Sequence, residues 1–294
     1  MTYLYIILTA SLLLLSGCGT HIRSGYVDVS GGGKLYYEES GKGQPLLLLH
    51  GHSLDRRMWD EQFGPFSRHF RTIRFDFRGY GLSSDQSETM PMTHVDDVVT
   101  LMDSLHIGQA HVVGLSMGAF VAGDLVGMYP ERCLSAVLAS GSVRKGSKGP
   151  SEPMDSAESA QRDWEIAELK AKGVDMMKRE WLEQLVGSGG SQREKMRDRL
   201  WTMISEWSAW QPLHKEVRLF YGREAWQRMQ ELHPSMPVLL LRGACEGKKG
   251  TPDELQYLPH GRVETLEDCG HMMNMEQPRR FNRAVLGFLE SVDR

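Results

Sequence analysis

The chain predicts an α/β protein: a mostly parallel central sheet flanked by helices and interrupted late by a helical insertion. Three observations predict it. Short, mainly apolar runs, among them Pro45 to Leu49, Leu134 to Leu138 and Pro237 to Leu241, alternate with helix-length patterns. Such runs are strands buried on both faces, and strands that alternate with helices pair in parallel. A Gly114-x-Ser116-x-Gly118 turn stands between an apolar run and a helix-like segment. From residue 143 to 235 the strand pattern stops, and six of the seven tryptophans fall there.

With 294 residues, 40% of them hydrophobic, the chain can bury a full α/β core with room for an insertion. A net charge of −4 gives no basis for binding nucleic acid.

Taken in order, the chain opens on an apolar stretch, Tyr3 to Leu15, followed by Leu15-Ser16-Gly17-Cys18. The stretch is too short to span a bilayer comfortably, and an apolar run ending in small residues reads as a secretory signal. Leu-Ser-Gly-Cys resembles the bacterial lipobox, although no Lys or Arg precedes the apolar run. That resemblance implies that residues 1–18 are a lipoprotein signal peptide ending in the lipidated Cys18. The mature chain would then be tethered through its acyl chains to a bilayer of the bacterial cell envelope, at the outer membrane or the periplasmic face. Three cysteines remain, Cys133, Cys245 and Cys269. An oxidising compartment permits one disulfide, and Cys245 with Cys269 is the pair that flanks candidate site residues. The alternative is buried free thiols.

Residues 25–40 alternate around Gly31-Gly-Gly33, a β-hairpin with a glycine turn. Pro45 to Leu49 is a buried strand that ends in His50-Gly51-His52. Phe70 to Phe75 is the next strand, followed by Asp76-x-Arg78-Gly79-x-Gly81. Residues 92–105 carry Val95, Val98, Val99, Met102 and Leu105 on one face, a helix with Thr93 as N-cap. The strand before Gly114 comes next, and then a helix that ends before Pro130. Ser142 to Ser159 is rich in Gly, Ser and Pro, a linker-like loop. Residues from about 160 to 233 read as amphipathic helices with an aromatic face. That face either packs a small layer on its own core or caps an apolar substrate pocket. Strands return at 237–241 and 262–266, and a helix from about Gln277 to Val292 closes the chain.

The glycines at 114 and 118 have a physical purpose. A sharp strand-to-helix reversal pushes the hydroxyl of Ser116 outward, and side chains at either flanking position would collide with neighbouring backbone. The helix that follows also aims free N–H groups at the site.

Four ordered motifs resemble the α/β-hydrolase superfamily: His50-Gly51-His52, Asp76-x-Arg78-Gly79-x-Gly81, Gly114-x-Ser116-x-Gly118, and Gly270-His271 followed by Glu276 and Pro278. The resemblance covers 25–142 and 236–294 as the core and matches 143–235 in position only, as a helical cap. Small esterases, haloperoxidase-like esterases and enol-lactone hydrolases are the most similar branch. The resemblance implies Ser116 as nucleophile, His271 as general base, and an oxyanion hole made by the amides of His52 and Met117. It places the acid on the loop after 237–241, where this chain has Glu246 instead of the usual Asp, with Asp253 and Asp268 as rivals. A Glu can hold the histidine's tautomer, being one methylene longer, and Lys248 and Lys249 would favour its charged form. His50 is implied to be structural, and Asp76, Arg78, Gly79 and Gly81 to hold a turn beneath the site.

The expected activity is cleavage of carboxylic esters through an acyl-enzyme, with an apolar acyl or aryl part in the substrate. An enol-lactone or C–C bond hydrolase and a peptidase-like member are alternatives. A catalytically inactive binding lipoprotein is the alternative from another class. No cofactor is expected: no metal ligand set or phosphate-cradling loop emerges, and Gly31-Gly-Gly33 lacks the Lys-Ser/Thr of a P-loop.

Overall fold

The computed structural model describes residues 21–215, 217–247, 250 and 252–292. The segment expected to be a signal peptide, the expected lipidation site Cys18, and Lys248 and Lys249 lie outside them.

Eight strands form one sheet. They are β1 (Arg23–Asp28), β2 (Lys34–Ser40), β3 (Pro45–Leu49), β4 (Arg71–Phe75), β5 (Ala110–Leu115), β6 (Cys133–Ala139), β7 (Val238–Gly243) and β8 (Gly261–Leu266). Their order is β1-β2-β4-β3-β5-β6-β7-β8. β2 pairs antiparallel with both β1 and β4, and every later pair is parallel. The hairpin therefore lies at one edge, its turn running through Gly31 and Gly32 at φ 69° and 77°.

The helices are α1 (Asp60–Phe66), α2 (His94–Ser104), α3 (Met117–Met128), α4 (Ser156–Lys172), α5 (Val174–Gly187), α6 (Arg197–Glu206), α7 (Trp210–Leu213), α8 (Arg223–Leu232), α9 (Met273–Glu276) and α10 (Pro278–Val292). Two apolar layers sandwich the sheet. Leu47, Leu49, Val112 and Leu240 pack with α2, α3 and α8. Leu46, Leu48, Val113, Leu115, Leu239 and Leu241 pack with α1, α10 and parts of α5 and α6. Alternate residues of one strand feed opposite layers, which is why β3 and most of β7 read as unbroken apolar runs.

Thr93 caps α2 as expected, accepting from the Asp96 amide at 3.1 Å. The loop after β6 is shorter than expected. Asp155 and Glu158 form a reciprocal capping box that starts α4 at Ser156, so two short-range hydrogen bonds outweigh the surrounding Ser and Pro. The segment from α4 to α8 is helical, but its tryptophans share no single face. Trp181 and Trp207 lie against His52, Trp226 against Tyr257, and Trp210 on His214. Trp164 stays 58% exposed.

Candidate active site

Five loops leave the carboxyl ends of the parallel strands on one edge of the sheet, where open α/β sheets bind ligands. His50 follows β3, Ser116 follows β5, Ser140 follows β6, Glu246 follows β7 and His271 follows β8.

Ser116 sits at φ 56° and ψ −114°, a strained conformation for a residue with a side chain. Close packing enforces it. A Cβ on Gly114 would run into the Gly118 carbonyl, and one on Gly118 into the carbonyls of Leu49 and His50. The sequence expectation for this turn is met in its geometry. Met117 begins α3, so its amide is among those without an intrahelical acceptor.

His50 and Gly51 back onto the serine, since a Cβ on Gly51 would lie 3.6 Å from Ser116 Cβ. His50 Nε2 accepts from the Phe77 amide at 3.0 Å. Burial holds the ring neutral by pushing its pKa down. A neutral ring whose Nε2 accepts must carry its proton on Nδ1. That Nδ1–H therefore donates to the Gly51 carbonyl at 2.8 Å, to which the Leu54 amide also donates at 3.4 Å. In a trans peptide the N–H lies opposite the carbonyl, so the His52 amide is turned the other way. His50 is structural, and what it fixes is the peptide plane of the next loop bond.

His271 Nδ1 lies 3.0 Å from Glu246 Oε1, with side-chain exposures of 24% and 5%. The second carboxylate oxygen, Oε2, accepts from the Gly243 amide at 3.2 Å. Ser140 Oγ stands 3.0 Å from that oxygen and 2.9 Å from the His271 carbonyl. One hydroxyl thus joins the acid to the backbone of the histidine. The rival carboxylates are engaged elsewhere. Asp253 pairs with Lys145, and Asp268 binds the Ser191 amide and hydroxyl. Among the described residues neither Ser116 Oγ nor His271 Nε2 has a hydrogen-bond partner. Such contacts commonly tighten only when substrate is bound.

The side chain of His52 has a surround that the sequence did not disclose. Nδ1 is 2.7 Å from the Tyr80 hydroxyl, and the same hydroxyl is 3.4 Å from Met117 Sδ. The Trp207 ring stands edge-on with its centroid 4.9 Å away. Burial, then the neighbouring His50, pushes the His52 pKa down to about 4, so the ring is neutral at pH 7.

Asp76 accepts from the amides of Arg56 and Leu82 at 2.8 and 2.9 Å. Arg78 forks onto Asp97. Both hold the turn beneath the site. Cys245 and Cys269 do lie on adjacent backbone, joined by an N–H to carbonyl bond of 3.0 Å. Both are nonetheless free thiols, and Cys245 is exposed rather than buried. Burial pushes the Cys269 thiol up to about 12.

Sequence reasoning missed Ser140, Tyr80, Ser53 and Trp181. Only Ser140 carried a signal, being the first polar residue at the carboxyl end of an apolar strand.

A protein whose sheet edge gathers a strained serine, a histidine–glutamate pair and a backbone-amide loop belongs to the hydrolases of this fold. The family model of the alpha/beta hydrolase family matches residues 46–284; the chain belongs to that family. A curated relative, the (E)-2-((N-methylformamido)methylene)succinate hydrolase of Acinetobacter baylyi, is 23% identical over 87% of this chain and 94% of its own length. A thermophilic esterase from Thermogutta terrifontis superposes with a TM-score of 0.68 at 22% identity, over 92% of this chain and 99% of that one. The enol-lactonase from Burkholderia xenovorans gives 0.65 at 20% identity, over 90% and 100%.

Proposed function

We propose that the protein is a serine hydrolase that cleaves carboxylic esters through an acyl-enzyme. Ser116 Oγ attacks the ester carbonyl while His271 Nε2 takes its proton. Glu246 holds the Nδ1 proton and stabilises the imidazolium. The amides of His52 and Met117 receive the oxyanion. The tetrahedral intermediate collapses, and His271 returns its proton to the departing alcohol. Water, deprotonated by His271, then attacks the acyl carbon; the bond to Ser116 Oγ breaks as His271 returns the proton to that oxygen, and the acid leaves.

The observation that carries this reading is the 3.0 Å Glu246–His271 pair on the sheet edge that also bears the Ser116 turn. The indoles of Trp181 and Trp207 beside His52 favour a substrate with an apolar acyl or aryl part. The reading is tested with Ser116→Ala on p-nitrophenyl esters: hydrolysis should vanish together with covalent labelling by a fluorophosphonate. Full activity in that variant would refute it.

The proposal extends to location. Leu15-Ser16-Gly17-Cys18 supports a lipid-anchored protein of the bacterial cell envelope. Cys18→Ala should abolish acyl-dependent membrane partitioning, and unchanged partitioning would count against the anchor.

A further inference from the structure

We infer that Trp181, carried by the helical insertion, is a positioning residue for the oxyanion loop. The indole Nε1–H donates to Ser53 Oγ at 2.6 Å. The Ser53 hydroxyl in turn donates to the His52 carbonyl at 2.5 Å. Ser53 is fully buried and held at φ 63°, a left-handed conformation that costs a residue with a side chain about 1–3 kcal/mol. Such a conformation persists only where the surroundings over-determine it, and a 128-residue separation in sequence shows that the restraint comes from outside the loop.

Two further contacts grip the same segment. Trp207 stands edge-on against the His52 ring. Glu206 at the end of α6 pairs at 2.6 Å with Arg57, which forks onto Asp55, the N-cap of the short helix that follows. The insertion therefore fixes the His52 carbonyl from one side, while His50 fixes the preceding peptide plane from the other. The amide of His52 lies between these two restraints. Without the indole N–H, Ser53 relaxes towards negative φ, and the His52 amide drifts off the position where negative charge develops.

This inference rests on the ester-hydrolase reading. An amide that is aimed matters most when the carbonyl oxygen becomes an anion, so the loss belongs to kcat rather than KM. The test uses the full-length protein in detergent with a p-nitrophenyl ester. Trp181→Phe keeps the ring and removes the N–H; kcat should fall roughly tenfold to a hundredfold with KM within about twofold. Fluorophosphonate labelling should slow in proportion. Ser53→Ala should reproduce the loss, and Trp181→Phe added to it should change kcat by less than about twofold, because the two act through one hydrogen bond. Wild-type kcat in either single variant, a change in KM alone, or additive losses in the double variant would overturn the inference. If Trp181→Phe does not fold, Trp181→Leu, which also lacks the N–H, takes its place in the single and double variants with the same outcomes expected. Ser116→Ala run in parallel separates the two claims: hydrolysis surviving there overturns the ester-hydrolase reading itself.

Discussion

Glu276→Gln isolates the joint between the insertion and the histidine loop. Glu276 is 3% exposed at the end of α9. Its Oε1 accepts from the Gly190 amide at 2.6 Å, and its Oε2 from the Gly270 amide at 2.9 Å. One carboxylate thus bonds the insertion and the residue before His271. Glutamine keeps the shape but replaces one oxygen with an NH2, which meets an N–H head-on. A buried donor left unsatisfied costs about 1–3 kcal/mol, and loss of the charge weakens the surviving bond by about 1 kcal/mol. The sum is about 3 kcal/mol, a fall in Tm of roughly 5 °C for a chain of this size. Denaturant and thermal unfolding measure it, with exposed Glu267→Gln as a control expected to shift stability by less than about 0.5 kcal/mol. Ester turnover should fall as well, because the freed amide neighbours His271. A Glu276→Gln protein within about 1 kcal/mol of wild type would refute the reasoning, since the two amides would then have other acceptors.

Ser140→Ala removes the hydroxyl between Glu246 and the His271 carbonyl, and kcat should drop about tenfold, the worth of one hydrogen bond of ~1.4 kcal/mol. Asp124 fixes the two residues before α8 by accepting from the Tyr221 and Gly222 amides, and burial raises its pKa to about 7. The folded state then holds a proton that the unfolded chain has lost. Stability from this group is full below the unfolded carboxylate pKa of about 4 and declines as pH rises to about 7. Asp124→Asn should remove that slope from melts taken between pH 5 and 8, while lowering stability by about 1–3 kcal/mol at low pH, where a buried N–H loses its acceptor. His94 is buried between Phe77 and Phe220, both ring nitrogens lack a partner among the described residues, and burial pushes its pKa down to about 3. The unfolded chain takes up a proton below about 6.5 that the folded state refuses, so this group costs stability as pH falls. His94→Leu should therefore stabilise, more at pH 5 than at pH 8; a loss of stability at both would contradict it.

The centre of the sheet was legible because β3, β5, β6 and β7 are buried on both faces. Leu46 to Leu49 cannot be read any other way once Gly and Pro bound it. The turn at Ser116 was legible because backbone crowding leaves no choice but glycine at 114 and 118. Glu246 was legible only as one of three carboxylates, since the hydrogen bond to His271 is a fact of the folded loop. What stayed hidden depends on contacts between segments with no shared spacing. Trp181 and Ser53 meet across 128 residues, and nothing local marks one tryptophan of the insertion from another. Their scattered faces follow from the same cause, for each indole answers to a different neighbour. The early start of α4 was hidden for a different reason: Asp155 and Glu158 carry a local signal that the Gly, Ser and Pro around them obscure.

Gly270 has no side chain to place, and the Ser188 carbonyl occupies the space where one would go. The insertion and the loop bearing His271 are therefore moulded to each other at the level of the main chain. Exchanging residues 143–235 for the equivalent stretch of a relative would import a foreign contour against that glycine. New specificity in this scaffold is better sought by changing single residues on the inner wall of the insertion than by trading the whole piece.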